Sequence, residues 1–80
     1  MQKEAIKTDI EQYVIDRVKE IRVKKNISQA KLAHLMDIST GFVGNVENPK
    51  HIAKWNLNHL NQISKVLDVP FKDFFPEKGL

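Results

Sequence analysis

Apolar side chains recur at spacings of three and four residues in the first third of the chain, the period of an amphipathic α-helix. The face that they form, together with one arginine, consists of Ile10, Tyr13, Val14, Arg17, Val18 and Ile21. Thr8 and Glu11 have the spacing of a capping box, in which each side chain accepts a hydrogen bond from the other residue's backbone N–H. The pattern therefore predicts a first helix over residues 9–25.

Two short helices are predicted next, each preceded by a serine whose hydroxyl can accept a hydrogen bond from the first turn. Ser28 precedes a helix over residues 29–36, and Ser39 precedes a helix over residues 40–47. The inward positions of the two helices are apolar, namely Leu32, Ala33 and Met36 in the first and Val43 and Val46 in the second. Because only the turn "DIS" separates them, they have the arrangement of a helix-turn-helix.

The remainder of the chain predicts one longer helix and one short helix. Pro49 ends the third helix, since proline disfavours α geometry in the preceding residue and lacks a backbone N–H. Asn56 is a candidate cap for a fourth helix that ends near Asp68, with apolar residues at helical spacing between them. Pro70 suits the first turn of a fifth helix, "PFKDFF", which Pro76 stops. No stretch alternates with period two, so a compact all-α fold of five helices is expected.

Composition narrows the class of protein. The chain has 80 residues, of which 41% are hydrophobic, and no cysteine. We expect one small domain held by packing alone, without disulfides or thiolate metal sites. No apolar run approaches the roughly 20 residues that span a bilayer, and the first residues lack the apolar core of a signal peptide. A cytoplasmic protein without membrane contact is therefore the expectation.

The excess positive charge lies in the middle of the chain. The net charge is +3, and residues 21–54 carry six basic and two acidic side chains. By contrast, the first 20 residues carry four basic and five acidic side chains, and residues 55–80 carry three of each. This distribution suits either a solvated lysine-rich surface or a surface that meets a polyanion, and charge alone does not distinguish the two.

Residues 18–75 resemble the Cro/C1-type (Xre-like) helix-turn-helix family of phage and bacterial regulators. The segments that carry the resemblance are "ISQAKLAHLMDIS", "FVGNVEN" and "LNQISKVLDVPFKDFF", whose order and spacing match the family pattern. The resemblance implies a lambda-repressor-like domain over residues 14–76, preceded by an N-terminal extension with the start of helix 1 (1–13) and followed by a tail (77–80). It also implies a transcriptional regulator of bacterial or phage origin, a repressor that binds a double-stranded DNA operator sequence-specifically as a homodimer.

In this family the third helix enters the major groove, so the resemblance assigns base contacts to its outward side. The candidate base-contacting residues are Thr40, Gly41, Gly44 and Asn45, with Phe42 at their flank. Asn45 has the strongest base-reading chemistry, because its amide can pair with both N6 and N7 of adenine. Each residue also has a simpler interpretation, as a solvated helix residue or, for Phe42, as part of the core. The two glycines either let the helix backbone approach the groove closely or are tolerated drift.

The resemblance assigns phosphate contacts to residues that border the third helix. They are Gln29, Ser39, Asn48, Lys50, His51 and Lys54. Gln29 opens the second helix, where the family glutamine holds a phosphate and braces the third helix; solvation of the first turn is the simpler alternative. The loop that carries the last three residues of the set is longer than in compact phage repressors, so their roles depend on how it folds.

Two features concern the end of the third helix. The resemblance implies that Arg22 of the first helix pairs with Glu47. The role of Glu47 is then structural, and its charge is neutralised by Arg22 although it lies close to a polyanion. Most relatives have glycine where this chain has Pro49, and a proline held at a φ of about −65° cannot form the left-handed cap that glycine provides. The third helix must therefore end differently from that of most relatives.

Other functions find less support in the sequence. The three histidines, His34, His51 and His59, lack cysteines or close carboxylates at metal-ligand spacing, and no Gly-rich phosphate loop or nucleophile context is present. We therefore expect neither an enzyme nor a bound cofactor or metal, and no small-molecule effector. The alternatives that stay open are a helix-turn-helix protein-interaction module, an antitoxin and a restriction-control protein.

Candidate surfaces for a homodimer lie at the two ends of the domain. One is the aromatic end with Phe71, Phe74 and Phe75, and the other is the segment before Val14. The alternative interpretation places the aromatic rings in the core.

Overall fold

Four α-helices and one 3₁₀ helix form the regular structure of residues 6–80, the part of the chain that the computed structural model describes. The helices are α1 (Asp9–Lys24), α2 (Gln29–Met36), α3 (Thr40–Glu47), α4 (Leu57–Leu67) and the 3₁₀ helix Phe71–Phe74. No strand occurs within residues 6–80, and the all-α class is confirmed. Residues 1–5 of the predicted N-terminal extension lie outside the described residues.

The prediction of a fifth α-helix is not confirmed, because the segment between the last two prolines forms a single 3₁₀ turn. Pro70 stays outside the turn in an extended conformation, and its carbonyl accepts a hydrogen bond from Asp73 N–H at 2.9 Å. Phe75 is again extended, the conformation that the following Pro76 favours. The two prolines leave room for one turn, which closes with the i→i+3 bond of a 3₁₀ helix.

The four predicted N-caps are all present. In each case the side chain accepts a hydrogen bond from the backbone N–H three residues later, and the caps are Thr8, Ser28, Ser39 and Asn56. These bonds satisfy N–H groups of the first turn that have no partner inside the helix. They explain why α2 and α3 begin at the predicted residues.

The buried face of α1 differs from the predicted one. Ile10 and Tyr13 are each 38% exposed, whereas Ile15, which lies off the predicted stripe, is only 2% exposed. α1 packs against α3 and the 3₁₀ helix, so the covered stripe is rotated toward these two neighbours. Periodicity identifies an apolar stripe, but the neighbouring helices decide which of its edges is covered.

The core lies where α3 meets α1 and α2, and where α4 meets α2 and the 3₁₀ helix. Its least exposed large side chains are Phe74, Ile15, Leu32, Ile63, Val18, Val43 and Val46. Phe74 is fully buried, so this ring of the aromatic end belongs to the core, whereas Phe71 is 38% exposed. The core thus encloses both inward valines of α3 and holds that helix against the rest of the domain.

Candidate nucleic-acid interface

The turn between α2 and α3 has a left-handed residue at its centre. Asp37 adopts φ 56° and ψ 45°, and the following N–H of Ile38 bonds to Ala33 O at 3.0 Å. Asp and Asn tolerate this conformation better than other residues with a Cβ. Ser39 then caps α3 through the bond from Phe42 N–H to its Oγ, at 3.1 Å. The turn therefore closes α2 and opens α3 within three residues.

α3 has one buried and one open side. Its inward residues are fully buried (Val43 and Val46 are both 0% exposed), whereas Thr40, Gly41 and Asn45 are exposed. Apart from the backbone of its own helix and its chain neighbours, a Cβ on Gly41 would meet no atom of residues 6–80 within 4 Å. Three of the candidate base-contacting residues therefore lie on an open surface of the helix.

Gly44 borders α2 as well as the open side of α3. The residue is half-buried, and a Cβ placed on it would lie 3.5 Å from Gln29 Oε1, an ordinary contact distance. A larger side chain at Gly44 would therefore extend past Gln29, the residue that opens α2.

Phe42 belongs to a cluster of three rings on the flank of α3. The centroid of its ring lies 6.0 Å from that of Trp55 and 5.3 Å from that of His59. Phe42 is half-buried and packs against the core, while Trp55 is only 8% exposed. Much of the Phe42 ring is thus used in packing α3 against the start of α4.

The end of α3 is tied to α1 and α2 by a buried ion pair. Arg22 Nε and Nη2 donate to the two carboxylate oxygens of Glu47 at 2.9 and 2.8 Å, and both side chains are less than a tenth exposed. Arg22 Nη1 also donates to Ile27 O at 2.7 Å, and Gln29 Nε2 donates to Glu47 Oε1 at 2.9 Å. The pairing that the resemblance implies is therefore a bidentate contact with a third partner from α2, which helps fix α3 against both helices.

The candidate phosphate-contacting residues differ in what they already bind. Ser39 Oγ serves as the cap of α3, and Asn48 Oδ1 accepts from Lys50 N–H at 3.0 Å. His51 Nδ1 accepts from Ala53 N–H at 3.0 Å, a bond that leaves its Nε2 as the donor. Lys50 is exposed, as a phosphate-binding lysine must be.

Lys54 has an acidic partner within the domain. Its ammonium lies 3.1 Å from both carboxylate oxygens of Glu11 in the first turn of α1. Glu11 also accepts from Thr8 N–H at 2.9 Å, and this bond, followed by the one from Lys54, lowers the pKa of its carboxyl. A phosphate at Lys54 would therefore compete with an ionised carboxylate.

Two further side chains, Lys7 and His59, form hydrogen bonds near α3 and are not among the predicted site residues. Lys7 is buried and donates through Nζ to Val46 O at 2.6 Å and to Asn48 O at 2.8 Å. Burial lowers the pKa of the Lys7 ammonium, and the positive charge of Lys54 lowers it further. His59 completes a capping box at α4, because its Nδ1 accepts from Asn56 N–H at 3.1 Å. A histidine at the third helical position could have suggested this box, whereas nothing near Lys7 indicates a contact 39 residues away.

A family model for the Cro/C1-type helix-turn-helix DNA-binding domain matches residues 17–76, which include α2, the turn and α3. The chain belongs to this family. No curated protein matches the chain. Within residues 6–80, no helix is long and apolar enough to cross a membrane, and no group of three His, Cys, Asp or Glu side chains is placed to hold a metal ion.

Solved structures include proteins with a similar fold. The restriction-modification controller protein C.AhdI from Aeromonas hydrophila is 27% identical with a TM-score of 0.70, over 84% of this chain and 97% of that chain. The N-terminal DNA-binding domain of SinR from Bacillus subtilis is 24% identical with a TM-score of 0.63, over 86% of this chain and 99% of the domain.

A third similarity, to the protein HppE, has 23% identity and a TM-score of 0.73 over 88% of this chain but only 38% of that chain. At such identities the likenesses to SinR and HppE show the fold alone.

Proposed function

We propose that the protein is a sequence-specific transcriptional regulator that places α3 in the major groove of double-stranded DNA. The observation that carries the proposal is the two-sided construction of α3. Its valines and Glu47 are buried, while Thr40, Gly41 and Asn45 face outward with no side chain of the domain over Gly41. An open polar helix face on a rigid support is what base recognition in the major groove requires.

Asn45 is the residue to which we assign most of the base recognition. It is exposed in the second turn of α3, and its amide can donate to adenine N7 and accept from N6 at once. Thr40 and the backbone at Gly41 lie nearer the start of the helix, where an absent side chain permits close approach to a base edge or phosphate. Phe42 and Gly44 contribute less in this proposal, since both are half-buried against other side chains.

Lys50 and His51 are the proposed phosphate contacts next to α3, together with the start of α2 at Gln29. Lys50 is exposed, and the free Nε2 of His51 can donate. Ser39 and Asn48 take part through their exposed positions at the two ends of α3. Lys54 contributes through its charge, because its ammonium is already paired with Glu11.

The experiment is selection of binding sites from a random duplex pool, followed by titration of the selected duplex with the full chain. We expect log affinity to fall linearly with log salt, as counterions are released from the phosphates. Asn45→Ala should weaken binding by about 1–3 kcal/mol and relax the preference at one base pair. Asn61→Ala, an exposed asparagine of α4, is the control and should bind as the wild type does.

A negligible binding curve at every salt concentration would contradict DNA binding and favour a protein-interaction module. An Asn45→Ala affinity equal to that of the Asn61→Ala control would instead show that α3 does not read bases with this residue.

We propose further that two copies act together on half-sites about 34 Å apart and that binding represses transcription by covering a promoter. Exposed apolar side chains near both ends of the domain, Ile10, Tyr13 and Phe71, are candidates for the contact between copies. Sedimentation at micromolar concentration should detect a dimer, and a monomer at all concentrations would contradict it. A promoter-reporter assay determines whether binding lowers or raises transcription.

Control of a restriction-modification system is a second candidate, because the likeness to C.AhdI spans nearly all of that protein at 27% identity. This hypothesis expects the selected site to lie upstream of endonuclease or methyltransferase genes in the source genome. A selected site beside unrelated genes would contradict it while leaving the DNA-binding proposal intact.

A further inference from the structure

The C-terminal end of α3 is held by a lysine from outside the helix-turn-helix. Lys7 lies before α1, and its ammonium donates to the carbonyl oxygens of Val46 at 2.6 Å and Asn48 at 2.8 Å. Lys7 is only 5% exposed, so its polar atoms face these carbonyls instead of bulk water. A cation at this point also interacts favourably with the negative end of the helix dipole. We refer to these two hydrogen bonds as the Lys7 cap.

Local N–H groups of residues 6–80 reach the carbonyls on either side of Val46 but not Val46 O itself: Asn48 N–H bonds to Asn45 O at 3.2 Å, and His51 N–H bonds to Asn48 O at 3.0 Å. Pro49 has no N–H, and the N–H of Lys50 is donated to Asn48 Oδ1 at 3.0 Å. Asn48 itself is extended, with φ −84° and ψ 113°, so no left-handed residue closes the last turn. A helix leaves its last carbonyls without partners unless a cap supplies them. The Lys7 ammonium therefore supplies to Val46 O the donor that a left-handed glycine cap would place there.

The same N-terminal segment also holds the loop that follows α3. Glu11 accepts from Thr8 N–H at 2.9 Å and pairs with Lys54 at 3.1 Å. Lys7 and Glu11 thus attach the beginning and the end of the loop over residues 48–54 to one short stretch of chain. That stretch lies before residues 17–76, the part that matches the family.

We propose that Lys7 is a positioning residue for DNA recognition, because the Lys7 cap sets the geometry of the last turn of the helix that reads the bases. This inference rests on the proposed function of α3. The ammonium is buried against backbone carbonyls, so Lys7 makes no phosphate contact and releases no counterion. Its effect on binding therefore comes through the shape of α3, because Val46 is next to Asn45 in the last turn.

The test compares three variants of the full chain on the selected duplex, at a temperature where circular dichroism shows all of them folded. Lys7→Met removes both hydrogen bonds and should weaken binding about tenfold, the factor that corresponds to about 1.4 kcal/mol. Lys7→Arg keeps a cationic donor and should recover most of the affinity. Lys19→Met removes the same charge from an exposed position of α1 and should bind within about twofold of the wild type.

Two measurements separate positioning from a phosphate contact and from a general loss of stability. The slope of log affinity against log salt should be the same for Lys7→Met and the wild type, whereas loss of a phosphate contact lowers its magnitude by about 0.9. The ratio of affinities for the selected duplex and a scrambled duplex should fall in Lys7→Met and stay constant in Lys19→Met. A purely structural role leaves this ratio unchanged while the protein remains folded.

Repeating the Lys7→Met substitution in a Pro49→Gly variant tests whether Lys7 replaces the missing glycine cap. Pro49→Gly restores a backbone N–H and a residue that can adopt positive φ, so a left-handed cap becomes available to α3. In this background Lys7→Met should cost clearly less affinity than it does in the wild type. An equal cost in both backgrounds would overturn the assignment of Lys7 to the helix end.

Amide hydrogen exchange of the free protein tests for the Lys7 cap in the absence of DNA. In Lys7→Met the amides of Val46, Glu47 and Asn48 should exchange at least about tenfold faster, because the last turn loses its closing donor. Unchanged exchange rates, or equal DNA affinities for Lys7→Met and Lys19→Met, would overturn the inference. If the wild type binds no duplex, the proposed function and the role of Lys7 in recognition both fail, whereas the exchange rates still decide whether the cap exists.

Discussion

The C-terminal ends of the α-helices are of two kinds. α1, α2 and α4 are each followed, within two residues, by a left-handed residue with φ between 54° and 58°; these residues are Asn26, Asp37 and Asp68. In each case the next N–H bonds to the carbonyl five residues earlier, at 3.0 to 3.1 Å. α3 instead ends at an extended Asn48, whose N–H bonds to Asn45 O, while the donor to Val46 O comes from Lys7, 39 residues away. Three ends are thus closed by their own sequence, and the end of the proposed recognition helix depends on the folded chain.

Glu47→Ala should have the largest effect, because it breaks the other tertiary attachment of the α3 end. The substitution leaves the Arg22 guanidinium buried without its carboxylate, and we expect the free energy of unfolding to fall by about 3–5 kcal/mol. Urea unfolding measures this change, and binding to the selected duplex should weaken with it. Glu20→Ala removes an exposed carboxylate that pairs with Arg17 on the surface and should cost at most about 1 kcal/mol. If the urea unfolding midpoint and the DNA affinity of Glu47→Ala equal those of the wild type, the ion pair does not hold α3.

Asp37→Gly should have a smaller effect of opposite sign. Glycine adopts positive φ without a Cβ clash, so we expect the variant to gain about 0.5–1 kcal/mol of stability. The matched substitution at the α3 end, Asn48→Gly, has no positive φ to relieve and should lose about 0.5 kcal/mol through the entropy of the unfolded chain. Thermal and urea unfolding of the two variants measure the difference. Stabilisation by both substitutions would mean that the α3 end does not differ from the others.

The smallest expected effect is the pH dependence of stability that comes from the two capping boxes. The third helical position is Glu11 in the box of α1 and His59 in the box of α4. Burial lowers the pKa of His59 from its ordinary value of 6.5, and its Nδ1 can accept from Asn56 N–H only while unprotonated. The unfolded chain therefore binds more protons at this site, so stability falls as the pH drops below about 6.5. Glu11, whose pKa is lowered from 4.5, loses its contribution only at more acidic pH.

The variant His59→Gln tests whether His59 causes this pH dependence of stability. Glutamine keeps an acceptor for the capping box but does not titrate. We expect unfolding free energies at about pH 7 and about pH 5 to differ less in the variant than in the wild type. His34 and His51 are common to both proteins, so the difference isolates His59. Equal pH dependence in the two proteins would contradict the role assigned to the imidazole.

The sequence predicted the helix-turn-helix itself well, because its boundaries depend on neighbouring residues. Ser28 and Ser39 each cap the helix that follows them, and α2 and α3 begin and end at the predicted residues. The outward position of Asn45 follows from the inward period of the valines, which the core confirms. The fifth predicted helix, after Pro70, is a single 3₁₀ turn, because the two prolines leave room for only one turn.

The sequence pattern also does not predict the contacts of the side chains around α3. The sequence pattern leaves Phe42 either in the core or at a DNA contact, and the rings of Trp55 and His59 cover part of it. Lys54 has the charge of a phosphate-binding residue, yet its pairing with Glu11 arises only when the loop folds back on α1. These contacts join residues far apart in sequence, and no local period encodes them.

The helix starts and the outward side of α3 follow from the sequence alone, and the pairing of Arg22 with Glu47 follows from the family resemblance. Capping bonds and helical faces involve residues three to five positions apart, so short patterns specify them. The way in which α3 ends, by contrast, depends on contacts between residues far apart in the chain. With Pro49 in the place of a closing glycine, Val46 O takes its donor from Lys7, which lies just before α1, and this contact exists only after α1 and α3 have packed together.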